Sequence, residues 1–305
     1  KVEQDGKVEK YNCRLVAQEF WQEEGIYYTE KYSPTPAAAS IRKLLAMTAV
    51  KDGELPHFGA EQAFLKADID EELYTEIPVE FQEFPGAVGR LNKAIYGLVQ
   101  AGTCWNNKLC DDMTAIVFEQ AKANLCVLRK VVDGEAEMLV VVHVDAIFAH
   151  AKDQATMGRF AAELGHEFKL KDMGDAGYYM SCHITKNQKE PQGARVEARP
   201  TLVRGSTVKR FDVKKATRIP AASGGPTRSK VDEPWNPEEK EKMRKFPHRE
   251  TVGAPMWTTT MTRPDIACAV RAEARFCENP GSAYKEAVIK VLQYLLQTKE
   301  WGTTY

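Results

Sequence analysis

The chain has 305 residues, 43% hydrophobic, 28% charged and 9% aromatic, an ordinary globular composition with length for one large domain or two linked ones. Lys+Arg total 42 against Asp+Glu 43, so the net charge is −1, which argues against a strongly basic, non-specific nucleic-acid binder while leaving room for a local basic groove. No apolar run reaches the roughly 18 residues of a membrane span.

The chain opens at Lys1 with KVEQDGKVEK, which has no apolar leader and reads like the middle of a longer reading frame. NCRLVAQEF is strand-like, and the Pro-bounded turn YSPTPAAAS follows. A helix comes next, with Ile41, Leu44, Leu45 and Thr48 on one face and Gly53 beyond its end. A short strand is predicted around Phe58 to Leu65, then the acidic patch DIDEE and the strand LYTEIP. YGLVQAGT feeds a helix from about Trp105 to Ile116. VVHVDAIFAH, residues 141–150, reads as strand, tight turn and strand with Asp145 at the tip. Residues 153–164 are predicted helical, and GYYMSCHITK is predicted as a strand. Residues 185–245 carry six prolines and the charged stretch NPEEKEKMRK, and read as a linker or extended connection. The segment SAYKEAVIKVLQYLLQ is a helix with Ser282 as its N-cap and Ala287, Val288, Val291, Leu292 and Leu295 on one face. The whole is an α+β chain, mixed to about residue 185 and more helical after it.

Seven cysteines, an odd count with no C-x-x-C pair, argue against disulfides and a structural zinc site. They fit a reducing, intracellular compartment, cytoplasmic or nuclear.

The hairpin tip carries the chemistry to be weighed. Two-metal phosphoryl transfer holds two Mg²⁺ ions about 3.5–4 Å apart. Mg²⁺ wants oxygen ligands in octahedral geometry. A strand-turn-strand ending in two adjacent acids, with a third acid on the neighbouring strand, meets both needs. This tip presents Asp145 alone, and a lone Asp is equally at home as a turn residue.

The segments around it decide the context. In order along the chain stand CRLVAQEF, GIYYTEKYSPT, SIRKLLAMTAV, AFLKADIDEELYTEIP, LNKAIYGLVQAGTCW, VVHVDAIFAH, FKLKDMGDAGYYMSCHI, VGAPMWTTTMTRPDIACAV and VLQYLLQTKEWGTTY. This series resembles the reverse transcriptase region of copia-type LTR retrotransposon polyproteins, from about residue 10 to the end. The resemblance implies a right-hand polymerase with fingers, palm and thumb, a mixed palm sheet and a helical C-terminal connection segment. It implies fingers and palm over 1–185, and over 186–305 a thumb or connection-like region. That region leads in the family to an RNase H domain, which is not expected here after Tyr305. It implies RNA- and DNA-templated DNA synthesis with Mg²⁺, a template-primer and deoxynucleoside triphosphates as partners, and no membrane.

The family's tip motif is an aromatic, any residue, then two aspartates; here it stands as His143, Val144, Asp145 and Ala146. The family's other metal acid lies four residues before Ala-Phe-Leu, where this chain has Gly59. One of the three metal carboxylates remains, on Asp145. If the two losses together remove about 6–8 kcal/mol of transition-state stabilisation, the rate falls by roughly 10⁴–10⁶. Glu61 is a possible substitute, displaced by about 7 Å along an extended strand.

The resemblance also places Phe64 beneath the incoming sugar, against its alternative as a core aromatic. It places Arg14 on a fingers strand toward the triphosphate, against a solvated strand charge, and Gln100 against nucleotide and template. Val99, Gly102 and Thr103 stand where the family has Lys, Pro and Arg, which removes two cations from any grip on phosphate. Glu19 and Ser181 stand where the family has Gly. Pro255 falls inside a segment expected to be helical, where a proline costs about 3 kcal/mol. Arg263, Pro264 and Asp265 keep the family's RPDI turn and equally suit a helix start. Three functions follow as alternatives: a reverse transcriptase fold without useful activity, a binding module that keeps the fold to grip nucleic acid or protein, and an enzyme of altered metal chemistry built on Asp145 and Glu61.

Overall fold

The computed structural model describes residues 13–175, 177–187, 195–200, 211, 213, 215–221 and 233–305. The chain divides into two units, one comprising residues up to 44 and 53–175, the other 45–52 and 176 onward. Helix α1 (Ala38–Lys51) is shared between them and buries the predicted face of Ile41, Leu44, Leu45 and Thr48.

In the first unit the strands are β1 (Pro56–Ala60), β2 (Tyr74–Glu76), β3 (Val88–Arg90), β4 (Glu119–Gln120), β5 (Val127–Val132), β6 (Glu135–His143), β7 (Ala146–Ala151) and β8 (Leu170–Asp175). The helices are α2 (Ala101–Ala115) and α3 (Gln154–Gly165). Six strands form one sheet in the order β4-β5-β6-β7-β1-β8, and β2 pairs with β3 in a separate ribbon. Every pairing within the larger sheet is antiparallel, which corrects the expected mixed sheet. The tight hairpins β5–β6 and β6–β7 impose that direction on its centre.

The period of two along β6 and β7 sends Met138, Val140, Val142, Ile147 and Ala149 to one face. There they meet Trp105, Leu109 and Met113 of α2 and Phe160 and Leu164 of α3. Each large side chain so buried contributes about 1.5–3 kcal/mol. Val141 and Phe148 point the other way and are buried too, so these strands read as unbroken apolar runs. Helix α3 begins at Asp153, whose carboxylate accepts the Thr156 backbone N–H at 2.7 Å.

Two strand expectations are corrected here. The stretch around Phe58 to Leu65 is a strand only as far as Ala60. Gln62 then takes a left-handed conformation (φ 57°) and a 3-10 turn spans Ala63–Lys66. The strand-like NCRLVAQEF makes a single parallel bridge, Val16 with Tyr96, before a 3-10 turn at Glu19–Trp21. Asn12 lies outside the described residues.

The second unit contains strands β9 (Tyr178–Tyr179), β10 (Cys182–Asn187), β11 (Arg195–Pro200) and β12 (Thr303–Thr304), ordered β12-β11-β10-β9. Its helices are α4 (Pro237–Arg244), α5 (His248–Met261), α6 (Ala267–Ala274) and α7 (Ser282–Gln297). The expected single strand GYYMSCHITK is a hairpin, turned at Met180 and Ser181, both with positive φ. Ser181 adopts φ 62°, a conformation that costs a side-chain-bearing residue about 1 kcal/mol. Part of the presumed linker is strand β11, paired along its length with β10; residues 188–194, 201–210 and 222–232 lie outside the described residues. Val288, Val291, Leu292 and Leu295 of α7 pack on Val252 of α5 and Val270 of α6. The N-cap of α7 is Gly281 rather than Ser282. Ser282 instead donates its backbone N–H (2.9 Å) and hydroxyl (2.6 Å) to the Glu239 carboxylate.

Candidate active site

The tip of the β6–β7 hairpin is a two-residue turn, because His143 pairs with Ala146. Val144 occupies its first position with φ 57°, an outlier conformation for a β-branched residue. The Trp105 indole holds it there, donating to the Val144 carbonyl at 2.7 Å. The Asp145 carbonyl accepts the Ala60 backbone N–H at 2.8 Å, which ties the tip to the end of β1. The fixed turn leaves the Asp145 side chain exposed.

The register brings Gly59 and Ala146 together. Gly59 on β1 is the direct partner of Ala146 on β7, and on its other side it faces Lys171 on β8. A Cβ built at Gly59 would meet nothing within 4 Å. Positions 59, 145 and 146 therefore converge, and a single carboxylate stands among them.

Asp145 and Gly59 line an open cleft of about 920 Å³ with Arg14, Glu61, Tyr96 and Lys171. Arg14 lies over the Tyr96 ring at 4.7 Å. Its segment is held by the Val16–Tyr96 bridge and by the Ala17 N–H donating to the Tyr96 carbonyl at 2.7 Å. Glu61 is in the cleft, but Lys169 Nζ pairs with its carboxylate at 2.9 Å. His57 lies two residues before Gly59, so both point to the same face of β1. Burial pushes its imidazole below the ordinary value, and the nearby Asp145 charge opposes that shift. Lys171, Lys169 and His57 escaped the sequence reading. Lys171 reaches the site only through the β1–β8 register, a non-local pairing with no local signal.

The other sequence-predicted residues are not among those that line the cleft with Asp145. Phe64 is half-buried, packed against the core and edge-on to Tyr96 at 5.0 Å. Gln100 is 2% exposed; its amide donates to the Tyr27 carbonyl (2.9 Å) and accepts from Gln22 (3.1 Å). It thus joins the start of α2 to the segment 22–27. Thr103 donates its hydroxyl to the Tyr32 carbonyl at 3.1 Å. In the second unit, Arg263 is buried and grips both Asp265 oxygens (2.9 and 2.8 Å) and the Thr298 carbonyl (3.0 Å). Pro264–Ile266 form a 3-10 turn leading into α6, so the RPDI residues do begin a helix.

A two-metal site needs several oxygen donors around one point. Among the described residues no group of three or more His, Cys, Asp or Glu could hold a metal ion. Asp145 is one donor and Glu61 is engaged by a lysine, so this set does not fit the Mg²⁺ pair.

Comparison with known proteins gives the context for these positions. The family described as reverse transcriptase (RNA-dependent DNA polymerase) matches residues 1–216. The retrovirus-related Pol polyprotein from transposon TNT 1-94 of Nicotiana tabacum is 33% identical over 304 residues, 98% of this chain and 23% of that protein. The corresponding polyprotein from transposon RE2 of Arabidopsis thaliana is 27% identical over 307 residues, 99% of this chain and 20% of that one. A putative transposon Ty5-1 protein of Saccharomyces cerevisiae is 24% identical over 249 residues, 80% of this chain and 77% of its own length. The chain is therefore a polymerase-like α+β protein and belongs to the reverse transcriptase family. Its relatives are the Pol polyproteins of copia-type retrotransposons, and it spans between a fifth and a quarter of the length of the two plant ones.

Proposed function

We propose that this chain is the reverse transcriptase region of a retrotransposon Pol polyprotein whose polymerase chemistry has been lost. One observation carries the reading: Gly59 and Ala146, where the family places two of its three metal carboxylates, are direct cross-strand partners beside Asp145. With one carboxylate in place of three, the charge of two Mg²⁺ ions is no longer offset. In this reading residues 1–185 supply fingers and palm and residues 186–305 the thumb and connection. Template-primer and deoxynucleoside triphosphate are the partners inherited from the family, with Arg14, Phe64 and Gln100 on the nucleotide and template side. The test is primer extension on RNA and DNA templates with Mg²⁺ and with Mn²⁺. No extension by the native chain is expected. Extension that is abolished by Asp145→Ala would contradict the reading and favour altered metal chemistry at the same cleft.

A binding role without chemistry is supported by a separate feature. Phe20, Trp21 and Tyr32 expose their rings on the segment that follows Arg14, a pattern suited to stacking on unpaired bases. Binding to single-stranded nucleic acid that weakens as salt rises supports this role; no binding at low salt excludes it.

A further inference from the structure

The β6–β7 turn is built against the preference of its own residues. Val144 has φ 57° and Asp145 has no positive φ, so only the first turn position is left-handed. That pattern calls for glycine at the first position. A β-branched residue stays in such a conformation only where its surroundings hold it. The Val144 side chain is 37% exposed, so its own packing is a weak hold. The backbone is held instead. Pairing of His143 with Ala146 leaves the Val144 and Asp145 carbonyls outside the ladder, and neighbouring elements reach both. The Trp105 indole N–H of α2 donates to the first (2.7 Å), and the Ala60 N–H of β1 donates to the second (2.8 Å). Trp105 is 1% exposed and its ring stands edge-on to Phe168 at 5.1 Å, so the donor is itself fixed. Val144 directly precedes Asp145 in the chain, so a change in the Val144 backbone swings the acid that lines the cleft.

We propose that Trp105 is a positioning residue of the candidate active site: its indole N–H holds Val144 left-handed and thereby keeps Asp145 in the cleft. The inference rests on the reading of Asp145 as the acid of that site, but not on whether the chain polymerises. Its test is amide hydrogen exchange followed by nuclear magnetic resonance on the whole chain. The reporter is the Ala60 N–H, which is bonded to the Asp145 carbonyl. Trp105→Phe keeps an aromatic ring against Phe168 and deletes the donor. It should speed exchange at Ala60 about tenfold, with Leu139 and Val141 in the middle of β6 unchanged. Glycine takes a left-handed φ without strain, so Val144→Gly should make the indole dispensable. In the Val144→Gly chain, Trp105→Phe should speed Ala60 exchange by less than about threefold. Equal acceleration in both backgrounds, or none in the native one, overturns the proposal. Should Trp105→Phe fail to fold in the native background, folding in the Val144→Gly background supports the proposal. Failure to fold in both makes the indole a packing group and overturns it. Exchange is read without primer extension, so the proposed loss of chemistry and this inference fail separately.

Discussion

Gly97 holds the strand of contacts that positions Arg14. Its φ is 86°, and a Cβ there would clash with the Ala17 carbonyl oxygen, against backbone that is itself bonded to Tyr96. Gly97→Ala combines a left-handed φ with a backbone clash, so it should destabilise the protein by about 2 kcal/mol or more. A denaturant midpoint unchanged from the native chain would contradict this. Gly59 is the opposite case: its φ is not positive and a Cβ there would meet nothing within 4 Å, so the backbone accepts a side chain without a Cβ clash. Arg263 is the residue whose loss the second unit should feel most. Its guanidinium is buried, makes four hydrogen bonds to Asp265 and Thr298, and lies over the Tyr294 and Trp301 rings. Arg263→Met should cost about 2–3 kcal/mol. This is below the range for a fully buried pair, because the Asp265 side chain keeps 37% of its exposure. Urea titration followed by far-ultraviolet circular dichroism measures it.

At the scale of elements, helix α5 contains the clearest local misfit. It runs from His248 to Met261 through Pro255, which has no N–H to give to the carbonyl of Thr251. Pro255→Ala removes a helix penalty of about 3 kcal/mol and forfeits about 1.6 kcal/mol of buried methylene. A net gain of about 1–1.5 kcal/mol is expected, and a loss of stability would show that the proline ring is needed for packing. The α7 helix and the β6–β7 hairpin were legible because their apolar periods, 3.6 and the unbroken run, are carried by local sequence. Strand β11 was less visible: RVEARP does alternate, burying Val196, Ala198 and Pro200, but it lies in a proline-rich, charged stretch. The end of β1 was overrun because Ala63–Lys66 are as apolar as a strand, while the left-handed Gln62 that stops it carries no turn residue type. The site was half legible. Asp145 was legible as a hairpin tip and Gly59 and Ala146 were singled out only by the family resemblance, whereas Lys171 and the Lys169–Glu61 pair depend on register between strands more than a hundred residues apart.

For the molecule as a whole, part of the response to acid should be set in the second unit. Desolvation holds the buried His248 imidazole below its ordinary value, against a weaker opposing effect of the Glu273 backbone carbonyl. The unfolded chain therefore takes up this proton first, so the stability is complete above about pH 6.5 and falls as the pH drops below it. Burial acts to raise the Asp265 carboxyl, but the Arg263 and Tyr294 hydrogen bonds outweigh it and hold it below the usual range. Its contribution is present above about pH 4 and disappears as the pH falls through the lowered value. The melting temperature should decline from pH 7 to pH 5.5, and His248→Gln should flatten that decline; an equal slope in the variant would remove His248 from the account. The central claim concerns three positions, Gly59 and Ala146 on paired strands and Asp145 in the turn beside them. It is tested most directly by primer extension with Gly59→Asp/Ala146→Asp beside the native chain, in Mg²⁺ and in Mn²⁺. The account predicts extension by the double variant and none by the native protein. Extension by the native chain at a rate comparable to the double variant would contradict it.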